Sequence, residues 1–165
     1  MTRLAVVLAL MGSLAAAAQA EGDENLPATI AVTAGVSVAR LQAAGAQIYV
    51  CAKDPAGALN WTFREPVAAL LEEGKTVGRH FVGPTWEFVD GSRVVGELVS
   101  KAPGTTAKDI PWMKLSVKEP ATSGLVAGAT SVLRIDTKGG VFEGACDSEG
   151  ELHSEPYAAT YVFVK

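Results

Sequence analysis

The dipeptide Asp90-Gly91, set between two short apolar runs, constrains this chain more than any other feature. The runs Thr85–Val89 and Ser92–Val99 alternate in character, and Gly83-Pro84 punctuates the front. A tight turn of this kind needs positive φ, which glycine supplies without strain, so the two runs are expected to pair as an antiparallel hairpin.

The same alternation recurs along the chain. Thr29 to Arg40 reads as two short strands or one bulged strand, broken at Gly35. Leu41 to Ala44 could make a helical turn that Gly45 stops. In Ala46–Ala52, Ile48 and Val50 face one way and Tyr49 and Cys51 the other. Trp61-Thr62-Phe63 starts another strand, and Pro66 makes any strand there an edge or its end. Lys75 to Val82 is extended. Ile110–Val117 is a strand with Pro111 at its start, and Val132–Ile135 is another. Thr137-Lys138-Gly139-Gly140 is a turn, after which Val141-Phe142 restarts a strand. The closing run Tyr157–Val164 is apolar enough for a central strand, with Tyr157, Tyr161 and Phe163 on one face. Roughly nine to eleven strands at short spacing, without a convincing amphipathic helix, predict an all-β fold: an antiparallel β-sandwich or a closed β-barrel.

The ends and the charge set the compartment. Arg3, the apolar run Leu4–Leu10 and the small-x-small triplet Ala18-Gln19-Ala20 predict a cleaved signal peptide over residues 1–20, with cleavage after Ala20. Residues 21–26 read as a frayed start and 27–165 as a single β domain. No later run is long and apolar enough to span a bilayer as a helix. The formal net charge is −4, one more negative once Arg3 is removed. That balance disfavours a partner with a phosphate backbone, so no nucleic acid is expected. Two cysteines, Cys51 and Cys146, suit one disulfide in an exported protein. The competing reading is two buried free thiols, and the compartment favours the disulfide. The localisation read from these features is secreted or periplasmic.

Four stretches carry a family resemblance. They are H-F-V-G-P-T-W-E-F-V-D-G-S-R-V-V-G from His80, Q-I-Y-x-C from Gln47, I-P-W from Ile110, and R-x-x-T-x-G-G with Arg134, Thr137, Gly139 and Gly140. Together they resemble DUF3455, a family of secreted proteins without an assigned function, over nearly all of the chain from Leu26. The resemblance implies a strand over Val67 to Glu73, where alanine and leucine alone favour helix. Some members carry a malate-dehydrogenase label. A dinucleotide site needs a glycine-rich turn between a strand and a helix, and the G-x-G-x-x-G pattern does not occur here. Nicotinamide chemistry is therefore disfavoured, and no cofactor is implied.

Candidate chemistry is sparse. No serine lies in a G-x-S-x-G elbow, and the only histidine bases are His80 and His153. Neither H-x-H nor H-E-x-x-H occurs, and no metal site is expected. Glu87 and Asp90 could form a carboxylate pair for glycoside hydrolysis, but alternation and the turn account for each of them structurally. Weak catalytic candidates are therefore His80, Glu87 and Asp90. Trp61, Trp86 and Trp112 could stack on a sugar ring or anchor a partner, with Arg79 nearby. Their competing role is core packing.

The reading that results is a non-catalytic, exported binding module, drawn at this point as a sandwich. Its partner would be an extracellular glycan, small apolar ligand or protein. The alternatives are a small hydrolytic or metal-assisted enzyme using His80 with nearby carboxylates, and a structural or stress-protective secreted protein. The enzyme reading requires His80 within reach of a carboxylate in a cleft.

Overall fold

Eight strands form one closed antiparallel barrel in a computed structural model that describes residues 26–165. They are β1 (Ser37–Lys53), β2 (Leu59–Glu72), β3 (Lys75–Phe81), β4 (Thr85–Phe88), β5 (Arg93–Ala102), β6 (Trp112–Val117), β7 (Ser131–Gly139) and β8 (Leu152–Val164). Each pairs with its sequence neighbour, and β1 pairs with β8 to complete the ring. Of the two architectures expected, the barrel is the one formed, and the sandwich drawn for the binding module is replaced by it. The expected signal peptide over residues 1–20 lies outside the described residues, as does the frayed start apart from Leu26. Among the described residues no helix is long and apolar enough to cross a membrane, which says nothing of crossing by strands.

The strand number falls to eight because neighbouring runs merge. The expected helical turn at Leu41–Ala44 is instead part of β1, which runs unbroken through Gly45 to Lys53. Backbone pairing on both edges of β1, to β2 and to β8, outweighs the helix preference of Leu-Gln-Ala-Ala. Val141-Phe142 does not restart a strand, and Thr29–Ile30 lies in a turn.

Alternation sorts the side chains. Along β1, Ala39, Leu41, Ala43, Gln47, Tyr49 and Cys51 are buried while the residues between them are more exposed. The lower lumen is filled by Leu41, Leu70, Trp86, Phe88, Val132 and Phe163. Val126 and Ala129, from the loop joining β6 to β7, pack into the same cluster and close that end. Gly96 leaves space for the indole, since a Cβ there would sit 2.9 Å from Trp86 Cζ3. From Ala159 to Val164 both faces of β8 are buried, because the segment before β1 covers its outer side there. Leu26, Ile30 and Val32 pack there against Leu133, Ile135, Val162 and Trp112. Leu26, expected at the end of the frayed start, is thus part of the packed structure.

The hairpin at Asp90-Gly91 forms with a longer loop than the dipeptide alone suggests. Gly91 N–H donates to Phe88 O (3.0 Å) and Phe88 N–H to Ser92 O (2.9 Å), with Gly91 at φ 84°. This is a three-residue loop whose last position is left-handed, hence glycine. Asp90 accepts from Ser92 N (2.8 Å) and Oγ (2.6 Å), and from Leu125 N (2.6 Å). The Ser92 bonds first, and then the Leu125 bond, hold its carboxyl below the usual range. The turn is thereby latched to the loop that floors the barrel.

At the opposite end, Cys51 and Cys146 form a disulfide with Cα atoms 5.8 Å apart. It joins the top of β1 to the loop between β7 and β8. The bridged positions are 95 residues apart, for which chain entropy sets an upper stabilisation of about 4 to 5 kcal/mol. Replacing both cysteines by serine should lower the urea-unfolding free energy by up to that amount. A change below about 0.5 kcal/mol would show that the bridge does not constrain the unfolded chain.

Candidate functional site

Proline and a bulge shape one wall of the barrel. At Ile48/Tyr49 the register of β1 with β2 shifts, so that Ile48 faces Glu65 and Tyr49 faces Phe63, leaving Arg64 as the extra residue. Pro66 pairs with Gln47 on β1, whereas pairing of β2 with β3 starts only at Ala68. The missing N–H of Pro66 therefore costs no ladder bond. The sequence expectation of an edge or an end at Pro66 is met as a local edge within a strand that runs on to Glu72. Further up, the same edge of β2 is met again at Asn60, by a bridge to Ala145. Between these contacts the wall has a window.

A cavity of about 280 Å³ lies at this window, framed by Phe63, Pro66, Val82 and Pro84 and walled deeper in by Trp86 and Leu115. His80, Leu98, Met113, Arg134 and Tyr161 line it as well. A second cavity, of about 390 Å³, shares Phe63, Met113 and Arg134 with the first and continues to Gln47, Tyr49, Trp61 and Phe142. The two lobes adjoin in the upper lumen, with Phe63, Met113 and Arg134 as their common boundary.

Arg134 sits on β7 with 8 % of its surface exposed. Its Nε and Nη2 donate to Pro111 O at 3.1 and 2.8 Å. Among the described residues it forms no ion pair with a carboxylate. Around it, Gln47 Nε2, Trp86 Nε1, Tyr157 OH and Tyr161 OH are buried without a hydrogen-bond partner. Burial raises both phenols above the ordinary tyrosine range, with the Arg134 charge opposing, so both remain neutral hydroxyls. Tyr157 and Tyr161 perturb one another, yet neither hydroxyl reaches hydrogen-bonding geometry. A buried cation with several unanswered donors is costly in an apolar lumen.

The surrounding frame is rigid. Tyr49 OH donates to Gly140 O (2.7 Å) and accepts from Phe142 N (3.3 Å). Thr137 Oγ1 donates to Ile110 O (2.6 Å), and Asp109 accepts from Gly139 N (2.7 Å) and Thr106 N (2.9 Å). These bonds tie the loop before β6 to the end of β7 and hold Pro111 O against Arg134. At the mouth, Phe142 stacks on His153 with ring centres 3.6 Å apart, beside Trp61. His153 Nε2 lies 2.9 Å from Glu155.

The residues singled out in the sequence are dispersed. His80 is 3 % exposed, stacks on Trp86 at 4.7 Å and donates from Nδ1 to Thr85 O at 2.9 Å. Its partner is a backbone carbonyl and not a carboxylate. Glu87 points outward and pairs across the sheet with Arg79, with Arg79 Nε to Oε2 at 2.8 Å. Asp90 is committed to its turn. The three tryptophans share no face: Trp61 is at the mouth, Trp86 in the lumen, and Trp112 on the outer wall beneath the N-terminal segment. Among the described residues no three His, Cys, Asp or Glu side chains cluster as metal ligands. Arg134, Tyr161, Gln47 and Phe63, which frame the cavity, were not among the candidates. The available signal was an arginine inside the apolar run Val132–Ile135, in register with Tyr161 of β8.

Burial lowers the His80 pKa from 6.5 to about 4, against the raising effect of the Thr85 bond. The unfolded chain therefore takes up this proton near pH 6.5, and the folded chain only near pH 4. The corresponding stability is complete above pH 6.5 and is lost as pH falls toward 4, by about 3 kcal/mol. Urea midpoints measured across that interval should fall accordingly, and His80→Phe should flatten the slope. An unchanged slope in that variant would assign the acid sensitivity elsewhere.

Residues 33–165 match the model of a family described as "Protein of unknown function (DUF3455)". No curated protein and no solved structure matches the chain.

Proposed function

The chain belongs to DUF3455, and we propose that it is an exported carrier or receptor module that takes a small, largely apolar molecule into the upper lumen of its barrel. The observation that carries this reading is the two-lobed cavity beside the window, lined by Phe63, Leu98, Met113 and Trp86. Its lobes, about 280 and 390 Å³, sit at the lower limit of small-molecule sites, which combine apolar walls with few polar groups. The four family-like stretches support it too. They contribute His80 and Trp86, Gln47 and Tyr49, Ile110 and Pro111, and Arg134, all lining the same space. The disulfide at the mouth agrees with an oxidising compartment, as the signal-like start suggests.

A lumen ligand also suits the geometry better than a surface glycan. The tryptophans are too dispersed to form one stacking platform, whereas Trp86 is positioned to report on the cavity by fluorescence. The hydrolase alternative gains nothing, since His80, Glu87 and Asp90 do not meet.

The neutral dye N-phenyl-1-naphthylamine should brighten on addition to the protein, with a micromolar dissociation constant. Leu98→Trp, which fills the cavity from its rim, should weaken that binding at least tenfold while leaving the thermal midpoint within a few degrees. Binding unchanged by Leu98→Trp, or no binding at all, would remove the lumen as the site.

A further inference from the structure

We infer that the molecule held in the lumen is an organic monoanion, its carboxylate-like head at Arg134 and its apolar body in the lobe walled by Trp86, Leu98 and Leu115. This rests on the reading of the lumen as a ligand site and adds the charge of its occupant.

A guanidinium has five N–H donors, and Arg134 spends two of its nitrogens on a single carbonyl, Pro111 O. Nothing of opposite charge within the described protein answers it. Removing an unpaired cation from water costs several kcal/mol, and an incoming anion recovers that cost through a charge-assisted bond. The neighbouring unmet groups point the same way. Gln47 Nε2 can only donate, and the hydroxyls of Tyr157 and Tyr161 are free to do so. Donors gathered around a cation form an anion site.

The carboxylates nearby do not compete for the head position. Glu143 lines the outer lobe, that of Tyr49 and Phe142, and is solvent-exposed, while the inner lobe is that of Trp86 and Leu115; Glu155 is held by His153. Both leave the inner lobe free of negative charge, so the head belongs at the junction and the body in the inner lobe. That lobe exposes far more apolar than polar lining, which fits a single charge on a hydrocarbon or aryl frame.

The test titrates the wild-type protein with octanoate, octanol and octylamine, and with 2-naphthoate and 2-naphthol, following heat and Trp fluorescence. The acids should bind at least tenfold more tightly than the alcohols, and the amine least. Arg134→Met should bring acid and alcohol to the same affinity, and Arg134→Lys should restore part of the preference. Should the arginine variants fail to fold, the comparison of headgroups in the wild-type protein still decides. If alcohols bind as well as acids, and Leu98→Trp blocks both, the lumen is a ligand site and the anion inference falls. If none of the five binds and the neutral dye does not either, both readings fall together.

Discussion

The barrel exists because β1 is hydrogen-bonded on both edges at once. From Gln42 to Val50 each residue has a partner on β8 and another on β2. Closing the ring fixes which side chains face inward, and the alternation of eight strands then defines a lumen. Below, that lumen has large aromatic and branched side chains to fill it. Above, β1 brings Gln47 and Tyr49, β7 brings Arg134, and β8 brings Tyr157 and Tyr161. Polar groups are placed where water is scarce, and the cavity is the consequence.

Much of the architecture was legible in the sequence. The turn at Asp90-Gly91, the strand at Ala46–Ala52 and the apolar last strand are local patterns, and local patterns survive folding. The strand through Leu41–Ala44 was not legible, because its residues favour helix and only pairing on two edges overrides them. The site was harder still. In Val132-Leu133-Arg134-Ile135 every residue is buried, since the N-terminal segment covers the outside of β7. Alternation disappears when both faces are dry, so the sequence could not say which side Arg134 takes. The tryptophans pose the same problem: the sequence marks them as apolar but not that Trp86 enters the lumen, Trp112 the outer wall and Trp61 the half-buried mouth.

The distribution of polar bonds explains why the upper lumen stays open. Asp109, Thr137 and Tyr49 hold the surrounding loops to the strand ends. The frame is thus braced at the rim by bonds to backbone groups and does not collapse onto Arg134. His80 behaves as part of that frame, bonded to the backbone and stacked on Trp86.

Pro66 has an effect beyond the barrel itself. A bare strand margin is a template on which a second polypeptide can zip. Along that stretch of β2 the imide offers no hydrogen to a newcomer, and the extra residue at Arg64 twists the margin out of line. The opening in the wall is thereby closed to a foreign strand.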